Sequence, residues 1–187
     1  MKVVAISGKA RHGKDTVATE LKKQLEEIGG KVLIIHQGDF LKWIAKSYLG
    51  WDGKKDEEGR SLLQWIGTHN REVGLDDIYV ETVINTITLL SDKFDYVIIP
   101  DLRYKNELHR LKAKYQQHCY LVRVNRVVFN NSNYSPYKNG LTAEQNKHKS
   151  ETDLDYFCGW EYIITNYILE GLPNQVKKIV KELTMYA

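Results

Sequence analysis

An α/β fold, one parallel sheet with helices on both faces, is predicted by three features of this 187-residue chain. Short apolar runs alternate with stretches of helical period, the pattern of strand–helix–strand units. A glycine-rich loop, SGKARHGKDT (Ser7 to Thr16), joins the first such strand to the first such helix. A long polar segment interrupts the alternation once, late in the chain, where a functional excursion from the domain is expected.

Taken in order, Lys2 to Ser7 reads as a buried strand. Lys14 to Ile28 reads as a helix with Val17, Leu21, Leu25 and Ile28 along one side, ended by Gly29-Gly30. Lys31 to His36 is a second strand. Phe40 to Leu90 is helical, broken at Gly50-Trp51-Asp52-Gly53 and again near Gly74 to Asp77. Phe94 to Ile99 is a third strand, expected to stop at Pro100. Tyr104 to Tyr115 is a helix and His118 to Val124 a fourth strand. Trp160 to Thr165 is a fifth, followed by a helix from Pro173 to Leu183. These make a five-stranded parallel sheet in a single domain, residues 1–187, with a helical insert over 38–91 and a lid over 126–157. The polar run from Asn130 to Gly140 is expected to be a mobile lid tip, or else plain linker.

Bulk composition sets limits on function. Hydrophobic residues make up 42% and charged residues 27%, as in ordinary globular proteins. A net charge of +3, from 27 Lys+Arg against 24 Asp+Glu, is too mild to argue for nucleic-acid or membrane partners. No stretch is long enough to span a bilayer, and the N-terminal apolar run is too short for a signal peptide. Cys119 and Cys158 lack metal spacing and read as reduced thiols of a cytoplasmic protein.

The loop carries the chemistry. Gly8, Gly13 and Lys14 fit the phosphate-binding pattern G-x-x-x-x-G-K-[ST], between a strand and a helix as that pattern requires. The backbone from Gly8 through Lys9, Ala10, Arg11, His12 and Gly13 would point N–H groups at an anion, the helix N-terminus adding positive partial charge. Lys14 would reach the outer phosphates of such an anion. Asp15 replaces the usual hydroxyl residue, and Thr16 comes one place late. A carboxylate is a good hard-oxygen ligand for Mg²⁺, directly or through water. Equally, Asp15 could simply complement the helix N-terminus, and the residues leave both roles open.

G-x-x-x-x-G-K-D-[ST] resembles the loop of phage-type deoxynucleoside monophosphate kinases and, more remotely, of animal-type phosphomevalonate kinases. Four further blocks follow in the first family's order: Gly38 to Thr68, ending GR-x-LLQ-x-x-GT; IIPDLRYKNEL, from Ile98 to Leu108; HKSETDL, from His148 to Leu154; and IITN, from Ile163 to Asn166. The resemblance covers nearly the whole chain. It implies a P-loop kinase fold, ATP and Mg²⁺ as cofactors, a nucleoside monophosphate as acceptor, Asn166 near the ATP base loop, and a phage or prophage origin. Departures are Gly38-Asp39-Phe40 for alanine-aspartate-proline, proline before Asp101, and a lid with no arginine between Asn130 and Phe157. Arg123 and Arg126, at the lid entrance, would then have to stabilise the transferred phosphoryl group.

Two anionic substrates need two cradles. Arg103, just beyond the third strand, is the candidate for the acceptor phosphate, with a salt bridge to Asp101 or Glu107 as its structural alternative. Asp101 could orient Mg²⁺ through water or cap a helix. Asp39 and Lys42, after the second strand, are candidate substrate contacts, although Asp39 also suits a helix cap. Arg60 and Gln64 share one helix face and, with Arg71, could meet base and phosphate. His148 and Glu151 belong to the lid block, where Glu151 could hold a lid cation. Trp43, Trp51 and Trp65 are expected to fill core. The expected partner is a small-molecule nucleotide, and a homodimer stays an open alternative. Other phosphorylated acceptors, or a non-catalytic nucleotide switch, are the rival functions.

Overall fold

The computed structural model describes residues 1–130, 133–167 and 171–185. Asn131 and Ser132, inside the expected lid tip, lie outside them. The elements run β1 (Lys2–Ser7), α1 (Lys14–Glu27), β2 (Val32–Ile34), α2 (Gly38–Leu49), α3 (Glu57–Glu72), α4 (Ile78–Leu89), β3 (Tyr96–Leu102), α5 (Lys105–Tyr115), β4 (Cys119–Asn130), β5 (Asn133–Pro136), α6 (Ala143–Lys147), α7 (Lys149–Thr152), β6 (Tyr162–Asn166) and α8 (Leu172–Met185). A 3₁₀ turn, Gln116–His118, links α5 to β4.

Five strands pair in parallel in the order β2-β3-β1-β4-β6, so the expected parallel sheet is present. A sixth strand was not foreseen. β4 runs six residues past its expected end at Val124, and β5 folds back antiparallel on that extension. A second correction concerns β3, which continues through Pro100 to Leu102. The proline is tolerated because β2 pairs only as far as Ile98, and the register with β1 shifts between Ala5 and Ser7. The missing N–H therefore falls where no regular ladder needs it.

Alternation along β1 decides the two cores. Val4 and Ile6 face α1 and α8, packing with Val17, Leu21, Leu25, Val176, Ile179 and Leu183. Val3 and Ala5 face the other way, with Val83, Ile87, Leu108 and Leu111 of α4 and α5. All these strand residues are fully buried. Each buried Leu or Ile contributes on the order of 2 kcal/mol of transfer free energy. Ile28, expected on the buried stripe of α1, is exposed, because it caps the helix where the chain turns away.

The insert helices α2 to α4 lie between β2 and β3, while β5, α6 and α7 lie between β4 and β6. Both excursions leave from the carboxyl ends of parallel strands, beside the loop after β1. Trp43 and Trp65 do not fill a core. They are about half exposed (51% and 54%) and stack in the open, Trp43 on Phe40 and Trp65 on His69. The insert turns its other face toward the cavity described next, which leaves these rings on the outside.

Candidate active site

The loop between β1 and α1 adopts a tight phosphate-cradle shape. Gly13 has φ +94°, and a Cβ there would lie 2.5 Å from Nδ2 of Asn166. A Cβ on Gly8 would lie 2.5 Å from the carbonyl oxygen of Val124. Only glycine fits either place. Arg11 also takes positive φ, +61°. Nζ of Lys14 is folded back to donate to the carbonyl of Lys9 at 3.0 Å. Burial, and then the nearby Arg103, push the Lys14 ammonium down from its ordinary value to about 8. Among the described residues Lys14 forms no ion pair, and a buried cation in the first turn of a helix favours an arriving anion.

Three distant residues brace the loop. Asn166, at the end of β6, donates from Nδ2 to the carbonyl of His12 at 3.0 Å. Arg126 donates to the carbonyl of Arg11 at 3.1 Å, its guanidinium 4.1 Å from the Tyr137 ring centroid. Arg123 donates to Oγ of Ser7 at 3.1 Å and pairs with Asp155 at 3.2 Å. Asp155 also holds Lys9 at 2.9 Å. Neither Arg123 nor Arg126 lines the cavity. The structure places both expected transfer arginines behind the loop.

The cavity itself, about 450 Å³, lies between the loop, the insert and α5–α7. It brings together Ala10, Arg11, Lys14 and Asp15 from the loop, Lys42, Arg60, Gln64 and Arg71 from the insert, Asp101 and Arg103 from β3 and its end, and Glu151 from α7. Of the expected substrate contacts, Asp39 is outside. It is exposed at the head of α2, paired with Lys42 at 2.8 Å, and borders a separate shallow groove. It does not cap the helix either. Asp101 does, accepting the N–H of Gln37 and of Gly38 at 2.9 Å each. Thus the capping alternative for Asp101 holds, for α2 rather than for the following helix.

Arg103 meets neither of its expected structural partners through its side chain. It donates to the carbonyl of Ser150 at 3.1 Å and forms an ion pair with Glu151. The other carboxylate oxygen of Glu151 accepts the N–H of Ala10 at 2.8 Å. Glu151 therefore joins loop, arginine and lid segment in one contact. His148 ties the same segment to the insert, with Nε2 3.0 Å from Oγ1 of Thr68.

Several lining residues were not among the expected substrate contacts. Gln37, Tyr104 and Glu107 form the cavity floor with Arg71. Lys55, beside Lys42 and Arg60, was also missed, and burial followed by repulsion from Lys42 lowers its pKa. A hydrogen-bond pairing between α5's Glu107 and the backbone before it is the signal that could have been read, since Glu three places into a helix is a capping pattern.

Among the described residues, no group of three or more His, Cys, Asp or Glu could hold a metal alone. Mg²⁺ in phosphate sites needs only one or two carboxylates besides phosphate and water. Asp15 fits that need: it adjoins Lys14 and its side chain is 84% exposed. Its partner is His36, 3.4 Å away, whose hydrogen bond holds the Asp15 carboxyl below the usual range and raises the imidazole in turn. The glycine cradle fits a polyphosphate by the same donor chemistry. No described helix is long and apolar enough to cross a membrane.

No protein-family model and no curated protein matches the sequence. Among solved structures, the chain is similar to APE1195, at 14% identity and a TM-score of 0.51, over 97% of this chain and 94% of that one. It also aligns with the Mycobacterium tuberculosis APS kinase CysC at 15% identity and a TM-score of 0.47, over 97% and 96%. Similarity this distant concerns fold alone, and with the β1–loop–α1 geometry and the β2-β3-β1-β4-β6 order the fold is that of a P-loop α/β domain.

Proposed function

We propose that the chain is a kinase that transfers the terminal phosphoryl group of ATP to a (deoxy)nucleoside monophosphate, giving ADP and the diphosphate. One observation carries this: a single cavity runs from the phosphate loop, at Lys14, to a basic wall on the insert, at Lys42, Lys55 and Arg60. A nucleotide switch needs the first end only. A second cationic end suits a second anionic substrate.

The chain's own groups divide the work. The loop N–H groups and Lys14 hold the β- and γ-phosphates, and Lys14 regains its proton affinity as the anion compensates its burial. Arg103, between the loop and the insert, holds the acceptor phosphate and offers a fixed positive charge where negative charge develops. Mg²⁺, held by Asp15 and the phosphates, would supply further charge neutralisation. Asp101 keeps the N-terminus of α2, and with it Lys42, in place. The segment carrying His148 and Glu151 closes the site against water through its contacts with Thr68, Arg103 and Ala10. Arg123, Arg126 and Asn166 act by holding the loop's shape.

The test is ADP release from MgATP with each common ribo- and deoxyribonucleoside monophosphate, against a blank without acceptor and a Lys14→Ala control. Turnover with at least one monophosphate, absent from blank and control, is expected. Arg103→Ala should lower kcat and raise the acceptor KM while ATP still binds. Intact ATP binding with no turnover on any monophosphate sinks the proposal and points to a different phosphorylated acceptor.

A further inference from the structure

Resting on the monophosphate-kinase reading above, we propose that the cavity floor selects guanine, so that the acceptor is a guanine nucleoside monophosphate. Three polar groups on that floor lack partners. Gln37 is only 3% exposed, and its Nε2 donates to Oε2 of Glu107 at 3.3 Å. Its Oε1 is buried and accepts nothing. Glu107 is 5% exposed, and its Oε2 also takes the N–H groups of Arg103 and Tyr104, at 2.8 and 3.0 Å. No hydrogen bond reaches its Oε1 among the described residues. Arg71 lies over the Tyr104 ring, 3.6 Å from the centroid, and one nitrogen donates to the carbonyl of Gly67. Its Nη2 is buried without an acceptor.

Buried polar atoms without partners are uncommon in native proteins, and two lining one cavity, Gln37 Oε1 and Arg71 Nη2, beside a carboxylate oxygen that also accepts nothing, need an explanation. A ligand that pairs all three would supply it. The set is two acceptors, one of them a carboxylate, and one cationic donor stacked on the Tyr104 ring. Guanine presents the complement along one edge: N1–H and N2–H₂ as adjacent donors, and O6 as an acceptor beside them. Glu107 and Gln37 accept from the two donors and Arg71 donates to O6, a contact arginine makes readily. The other bases fit less well. With the Glu107 carboxyl ionised, adenine and cytosine turn a ring-nitrogen lone pair toward it, and adenine also turns its amine toward Arg71. Thymine and uracil have one donor where the floor has two acceptors. Hypoxanthine keeps N1–H and O6 but lacks the N2 amine, so it isolates that single contact. The sequence offers Glu107 only as a salt-bridge partner of Arg103, and Gln37 not at all, since their pairing exists only where β2, β3 and α5 converge.

The experiment compares kcat/KM for GMP, dGMP, IMP, dAMP, dCMP and dTMP at saturating MgATP, with wild-type enzyme and with Gln37→Leu. The expected result is a preference for the guanine monophosphates of at least about tenfold over every other acceptor, IMP included, because a site built to pair a donor rejects a ligand lacking it. Gln37→Leu should shrink the GMP-to-IMP ratio of kcat/KM, because only GMP carries the amine that Gln37 accepts. The wild-type GMP-to-IMP comparison stands even if the variant does not fold. Equal turnover of GMP and IMP, or a preference for another base, overturns guanine selection and leaves the kinase standing. A flat panel overturns both.

Discussion

Replacing Lys14 by methionine should make the ligand-free protein more stable while abolishing turnover. Burial holds the folded-state pKa of Lys14 at about 8, against 10.5 for a free lysine. At pH 7 the ammonium is charged in both states, and that depression corresponds to about 3 kcal/mol of unfavourable charge burial. Methionine keeps the stem and removes the charge. It also removes the hydrogen bond to the carbonyl of Lys9, which contributes about 1 kcal/mol. The net expectation is a gain of about 2 kcal/mol, read by urea unfolding at pH 7. The sign with pH follows from a depressed pKa: the folded state binds fewer protons than the unfolded between about 8 and 10.5, so wild-type stability rises across that window. The gap between variant and wild type should therefore close as pH rises toward 10. Saturating MgATP should reverse the order, since about 100-fold excess over Kd stabilises only the wild type, by about 2.7 kcal/mol. A variant less stable than wild type at pH 7 without nucleotide, or a gap indifferent to pH, would refute the idea that Lys14 is held charged and uncompensated for an anion.

Three other expectations are open to measurement. Gly13→Ala forces φ +94° on a residue with a Cβ, against Asn166 Nδ2; a cost of about 2 kcal/mol and a loss of ATP affinity of about tenfold or more are expected, and normal ATP titration would contradict the cradle geometry. Asn166→Ala frees the His12 carbonyl and should raise the Kd for ATP with little change in acceptor KM; an equal effect on both would place Asn166 elsewhere in the mechanism. Burial raises Glu107 to about 7, above its free value of 4.5, so its contribution is fully present below about 4.5 and lost as pH climbs through 7. Wild-type stability should fall by up to about 3 kcal/mol across that window relative to Glu107→Gln, followed by chemical denaturation at several pH values; parallel profiles would argue against a buried carboxyl there.

The chain's local grammar was legible in advance. The period of Val17, Leu21 and Leu25, the breaks at Gly50 to Gly53 and Gly74 to Asp77, and the strand–loop–helix around Gly8 and Lys14 depend on neighbours a few residues apart. Lys42, Arg60, Gln64, Arg71, Arg103 and Glu151, singled out by motif order, line one cavity. Partnerships were not legible. Asp101 caps a helix 64 residues before it, and Glu151 reaches the Ala10 N–H across 141. Arg123 and Arg126 became braces because β4 runs beside β1, which lays their side chains against Ser7, Arg11 and Asp155. Trp43 and Trp65 were exposed because the insert gives its inner face to the cavity. The sequence alone determined most of the strand and helix segments and the tight glycine loop that joins β1 to α1, since propensity and backbone freedom act locally. The tertiary structure decided which polar group meets which, and left Gln37 Oε1 and Arg71 Nη2 unpaired at the floor, because hydrogen bonds and ion pairs between distant segments exist only once the sheet has brought those segments together.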